Sequence, residues 1–215
     1  MKKTAVLILF FAAIVLGCTD TKKHSMGVYM LVGASGKYPP ELKKAQSILN
    51  HLLLKLQPLD TLVAARIDTR SFAEKDIIAK VTFNQRPSLV NKQKRAFHKK
   101  IDNFISSFKN SRYSDISGGI LQAIEYLNQT NPGKKYILIF SDLKEELKKA
   151  PLRDVPFRLA GFHVIALNVT KFDPDSDDLK KYLTRIFHWQ AKIESGEGEW
   201  RVVNDLKQFE NIFVK

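Results

Sequence analysis

Four groups of residues in this 215-residue chain are of types and spacing that could do chemistry. Cys18 is the sole cysteine and closes the segment Val15-Leu16-Gly17-Cys18. Gly33-Ala34-Ser35-Gly36-Lys37 is a small-residue loop directly behind an apolar run. Ser114, Asp115 and Asp142 carry the hydroxyl and carboxylate oxygens that hard divalent cations take as ligands. Finally, Lys80, Arg86, Lys92, Lys94, Arg95, Lys99, Lys100, Lys109 and Arg112 stand against the single acid Asp102 between positions 80 and 112. A solvated helix face explains most such runs; this imbalance also fits a surface that contacts anions, centred on Lys92, Lys94, Arg95, Lys99 and Lys100.

Several catalytic patterns fail on inspection. A phosphate loop needs glycine five residues before its Gly-Lys and a hydroxyl after it, whereas Leu31 and Tyr38 stand there. No serine sits in a Gly-x-Ser-x-Gly elbow. The five histidines, His24, His51, His98, His163 and His188, show no i,i+4 pair of the kind a zinc helix presents. His163 falls inside an apolar strand pattern, which suits a hydrogen-bonded core histidine. Asp173, Asp175, Asp177 and Asp178 do not give a calcium-loop spacing and read as acids at a helix start, where they complement its dipole. The census predicts no enzyme.

The N-terminus carries a different kind of information. Lys2 and Lys3 precede an unbroken apolar run at 5–16, too short for the roughly 20 helical residues that span a bilayer. This is the layout of a cleaved export signal. Its closing tetrapeptide resembles the lipobox of bacterial lipoproteins, which implies that Cys18 is acylated and becomes the new N-terminus. Residues 1–17 are then signal, 18–26 a lipidated tether and 27–215 the folded domain. Cleavage leaves 198 of the 215 residues and lowers the formal charge from +13 to about +11 as Lys2 and Lys3 depart. A lone cysteine allows no internal disulfide, so the core alone must hold the fold. The anions within reach of an exported chain are lipid headgroups, envelope polymers and acidic proteins; nucleic acid is not an expected partner.

The elements that must position these groups follow from periodicity. Strands are predicted at 28–32, 62–67, 77–83, 136–140, 162–169 and 200–203, the third at or near a sheet edge because it alternates. Helices are predicted from Pro40 and Glu41 to Leu56, and at 90–109, 115–129, 179–193 and 205–213, the third stopped by Asn131-Pro132-Gly133. Alternating apolar strands and amphipathic helices predict an α/β fold: a doubly wound, mostly parallel sheet with helices on both faces. Ligands on such sheets sit beyond the strands' carboxyl ends.

At those ends a family resemblance emerges. VYMLVGASGKY, followed by a helix and KLQPLDTLVAARIDTRSF, then YSDISGGILQAIEYL, KKYILIFSDL and EWRVVNDLKQF, occur in an order and spacing similar to the von Willebrand factor type A (VWA) domain. The resemblance covers nearly all of 27–213. It implies a metal-ion-dependent adhesion site, in which hydroxyls and aspartates hold a divalent cation that a partner carboxylate completes. Matched residue by residue, the first aspartate position is Gly33, the first serine Ser35, the second serine Lys37, the threonine Ser114 and the second aspartate Asp142. Glycine offers no side-chain oxygen and lysine no acceptor. The site is therefore expected to be degenerate, with neither Mg2+ nor Ca2+ as cofactor. Lys37 either points into the vacated metal position and pairs with Asp142 or lies on the surface at the helix start.

The expected protein is thus a lipid-anchored VWA-like module of the cell envelope, non-catalytic, binding or scaffolding an envelope protein through loops at Gly33, Ser35, Lys37, Ser114, Asp115 and Asp142. In a two-membrane cell, Thr19 after Cys18 resembles lipoproteins sent to the periplasmic face of the outer membrane. The alternatives are a hydrolase-like envelope enzyme using the strand-end crevice and a metal-dependent adhesin.

Overall fold

Runs of residues that are apolar on both faces build the sheet, and amphipathic helices cover it. The computed structural model describes residues 24–33, 39–67, 74–108, 114–146, 155–167, 177–204, 208–209 and 212–213. Strands are β1 (Met26–Val32), β2 (Thr61–Arg66), β3 (Ile77–Thr82), β4 (Lys134–Phe140), β5 (Phe162–Leu167) and β6 (Glu199–Val203). Helices are α1 (Pro39–Lys55), α2 (Pro87–Ser107), α3 (Ile116–Thr130) and α4 (Asp177–Glu194), with a 3-10 turn at Glu74–Asp76. Cys18, Ser35 and Lys37 lie outside the described residues, as do positions 168–176 and most of the expected closing helix, of which 208–209 are helical.

The strands lie in the order β3-β2-β1-β4-β5-β6. Neighbours are parallel except β2 and β3, which run antiparallel with a register irregularity between Ala64 and Ala65. This is the doubly wound α/β fold expected, and β3 is an edge strand, which explains its alternating burial. Chain order reverses direction between β1 and β4, so the switch point lies beyond Val32 and Phe140.

Period-two alternation sends the two faces of each strand into separate cores. Val28, Met30 and Val32 of β1, with Leu138 and Phe140 of β4, pack under Leu49 and Leu52 of α1 and Phe97 and Ile101 of α2. Tyr29 and Leu31, with Ile137 and Ile139, pack under Ile120 and Leu127 of α3 and Trp189 and Ile193 of α4. Gly119 lets α3 approach closely, since a Cβ there would stand 2.8 Å from the Ile67 side chain and 2.9 Å from that of Leu31. Among the described residues, the sheet and both cores lie between Met26 and Phe213. No helix among the described residues is long and apolar enough to cross a membrane.

Local signals set the boundaries. α2 starts at Pro87, three residues earlier than its apolar periodicity suggests, because proline at the first turn is preset for a helix and needs no N–H partner. Asn131, in the left-handed region at φ 47°, ends α3 as expected. The Gln57-Pro58-Leu59-Asp60 turn does more than redirect the chain. The buried Asp60 carboxylate accepts from the backbone N–H groups of Met26 and Gln57, both at 2.7 Å. It thereby ties the start of β1 to the start of β2.

Candidate functional site

Three segments meet beyond the switch point. Gly33, at the end of β1, donates its N–H to the Phe140 carbonyl at the end of β4, at 2.8 Å. Ser114 and Glu146 exchange backbone hydrogen bonds of 3.1 and 2.9 Å, an isolated antiparallel bridge joining the segment before α3 to the loop after β4. The Asp115 N–H donates to the carbonyl of Ile67, behind β2, at 2.7 Å. Gly33, Ser114, Asp115 and Asp142 therefore belong to one connected end of the sheet, and the placement of Ser35 and Lys37 falls outside the described residues.

Each described position has a definite local role. Gly33 is crowded: a Cβ built on it would stand 2.6 Å from the Ser141 Cβ and 3.1 Å from the Phe140 carbonyl oxygen. The first aspartate position of the family pattern thus lacks both an oxygen and room for a side chain. Ser114 is buried, and its hydroxyl has no hydrogen-bond partner among the described residues. Asp115 is fully buried and caps α3, one carboxylate oxygen accepting from the Gly118 N–H at 2.8 Å. Asp142 is exposed; one of its oxygens accepts from the Lys144 N–H at 3.1 Å.

The loop after β4 is pinned by residues that sequence spacing did not single out. The Ser141 hydroxyl accepts from the Leu143 N–H at 2.9 Å, and Leu143 takes φ 60°. The indole N–H of Trp189 donates to the Leu143 carbonyl at 3.0 Å. Glu145 reaches the N-terminus of α3, accepting from the Ser117 N–H at 2.8 Å and from its hydroxyl at 3.2 Å. Lys192 of α4 donates to the same hydroxyl at 2.8 Å, with its ammonium 4.9 Å from the Phe157 ring centroid and 5.3 Å from that of Trp189. Two carboxylates of the chain itself, Asp115 and Glu145, thus satisfy amides that an external anion would otherwise find at this helix start. Beside them Lys144 pairs with Glu146, whose carboxylate raises the lysine above its ordinary range by hydrogen bonding. Lys192 lies 75 positions from Ser117, so only the fold brings them together.

Of the five matched positions, Ser35 and Lys37 lie outside the described residues, and Ser114 and Asp142 carry oxygen donors. Gly33 supplies nothing, Asp115 is spent on a helix cap, and no group of three or more His, Cys, Asp or Glu is placed to hold a metal among the described residues.

The basic group resolves into two parts. On α2, Lys92, Arg95, Lys99 and Lys100 are exposed and form no ion pair among the described residues. Lys94 instead turns inward, donating to the Leu56 carbonyl at the end of α1 at 2.8 Å, with the Phe83 ring centroid 5.5 Å away. Burial lowers its pKa, against a smaller upward pull from Asp60. Asp102, the one acid in the run, is held by His98 at 2.8 Å and Gln46 at 2.6 Å. His163 stacks on Tyr136 with ring centroids 4.8 Å apart and bonds Glu199 at 2.7 Å, so its partner is a carboxylate on the neighbouring strand.

No protein-family model and no curated protein sequence matches the chain. Among solved structures it is similar to von Willebrand factor type A from Catenulispora acidiphila, with TM-score 0.53 and 10% identity over 87% of this chain and 42% of that chain. It is more loosely similar to an aerotolerance-related membrane protein from Bacteroides fragilis, with TM-score 0.47 and 15% identity over 87% and 96% of the two chains. Manganese-loaded TRAP protein from Plasmodium vivax gives TM-score 0.44 and 16% identity over 67% and 57%. The first likeness gives this chain the VWA fold; the other two are too distant to add to it.

Proposed function

We propose that the chain is a lipid-anchored module of the cell envelope whose VWA-like domain binds or scaffolds another envelope protein, without catalysis and without an obligate metal. The observation that supports docking at the strand-end loops is their mutual bonding: Gly33 to Phe140, Ser114 to Glu146, and Asp115 to Ile67. Loops fastened in this way form a preorganised surface, which lowers the ordering cost of binding. Asp142 stands exposed on that surface as a charged contact. The anchor is the acylated Cys18, and the location is the cell envelope, on the periplasmic face of the outer membrane where two membranes exist. A hydrolase would need a base near Ser114, whose hydroxyl is buried with no hydrogen-bond partner among the described residues.

Capture from envelope extracts with the tethered chain as bait tests the docking surface. The wild type should retain a specific protein that Asp142→Arg loses, and a chelator should leave the capture intact. An identical protein set from both baits, or capture abolished by chelator, sinks the reading. Titrating Mg2+ or Ca2+ should leave Tm unchanged, whereas a saturable rise of several degrees would restore metal-dependent adhesion. In cells, Cys18→Ala should release the protein from membranes.

A further inference from the structure

The five parallel strands all start at one end of the molecule, opposite the docking loops. That end is tied together by Asp60, which holds Met26, and by Lys94, which holds the last turn of α1 through Leu56. Because β3 runs antiparallel, it finishes there too, with Thr82 opposite Thr61, and α2 begins there at Pro87. The tether also arrives at this end: residues 19–25 are seven positions, and β1 starts at Met26. Seven residues reach at most about 25 Å when extended, so a lipid on Cys18 would keep this end beside the bilayer.

The charge along α2, which runs from this end, is one-sided. Lys92, Arg95 and Lys99 follow i, i+3, i+7 spacing on the outer face of α2, and Lys100 flanks them. The inner face is occupied by Val90, Phe97 and Ile101. Arg86 precedes the helix, Lys55 closes α1, and Lys134 sits beside the tether, its N–H donating to the Ser25 carbonyl at 3.1 Å; all three are exposed. Two exposed leucines lie among these cations, Leu54 at 80% in the last turn of α1 and Leu89 at 41% in the first turn of α2. The acids Glu194, Glu197 and Glu199 lie at the same end but on the β5–β6 side, away from α2.

We propose that the outer face of α2, with Lys92, Arg95, Lys99 and Lys100 around Leu89, docks on an anionic phospholipid bilayer. The helix axis would then lie along the membrane surface, with the α1–α2 side of the sheet toward the bilayer and α3 and α4 on the far side. Headgroup phosphates supply the charge the face lacks, and the leucines supply apolar surface to bury at the lipid boundary. Proximity to a bilayer rests on the lipid-anchored reading, while the docking itself can be measured without the lipid.

Unlipidated chain from Thr19 to Lys215 is floated with phosphatidylglycerol vesicles and, separately, with phosphatidylcholine vesicles. Binding is expected to the first only, falling steeply between low and physiological salt. Lys92→Gln/Arg95→Gln/Lys99→Gln should weaken it at least about tenfold. A charge-matched control, Lys43→Gln/Lys75→Gln/Arg158→Gln, should weaken it less than about threefold. No flotation with phosphatidylglycerol, equal loss in the two variants, or salt-independent binding overturns the proposal. Failure of Cys18→Ala to release the protein in cells would instead defeat the anchor, leaving vesicle binding by α2 as a separate result.

Discussion

At Gly33 the crowding is against backbone and a short side chain, neither of which can swing away. Gly33→Ala should therefore cost about 1–3 kcal/mol, read from urea unfolding, because the added methyl forces the end of β1 off Ser141. Gly33→Asp should cost at least as much and gain no Mg2+-dependent rise in Tm, although it restores the residue type of the family pattern. A Gly33→Asp protein that is both stable and metal-responsive would mean that the crowding at this position is readily relieved. Lys94 makes a related point. It reads as one cation among nine in its run, yet its ammonium serves the end of α1 and its pKa is lowered by burial.

The loop between β4 and Glu146 depends on two helices for its shape. Trp189 of α4 holds the Leu143 carbonyl, while Glu145 holds the start of α3. Trp189→Phe keeps most of the buried ring and removes the indole N–H. It should destabilise the protein by about 1 kcal/mol and speed amide hydrogen exchange at Leu143 to Glu146. Unchanged exchange in that loop would show that the indole does not fasten it. The same reasoning explains why α3 tolerates a start rich in small residues: Asp115 and Glu145 satisfy its first amides, and Gly119 admits the helix to the sheet.

Across the whole molecule, burial leaves a readable signature in the tyrosines. Tyr29, Tyr126 and Tyr136 all have pKa values raised above 10.0, in each case first by burial. A raised folded-state value favours the protonated phenol. This contribution is fully present below pH 10.0, the unfolded value, and is lost as pH climbs toward the higher folded values. Stability should accordingly fall with rising pH above about 10, and spectroscopic titration should show phenols ionising late, together with unfolding. Normal titration of all six tyrosines in a still-folded protein would contradict this burial.

Periodicity and punctuation alone determined the α/β class, the strand and helix sequence, the edge character of β3 and the stop after α3, because these depend on neighbours within a few positions. The missing oxygen at Gly33 was legible for the same reason. What the sequence could not hold were relations across distance: Ser141 filling the space beside Gly33, Glu145 on Ser117, Lys192 arriving from α4, and Lys94 turned toward Leu56. Those depend on which loops the crossovers bring to one end of the sheet. Tertiary structure decided them because hydrogen bonds and close packing act within a few ångströms, whatever the separation along the chain.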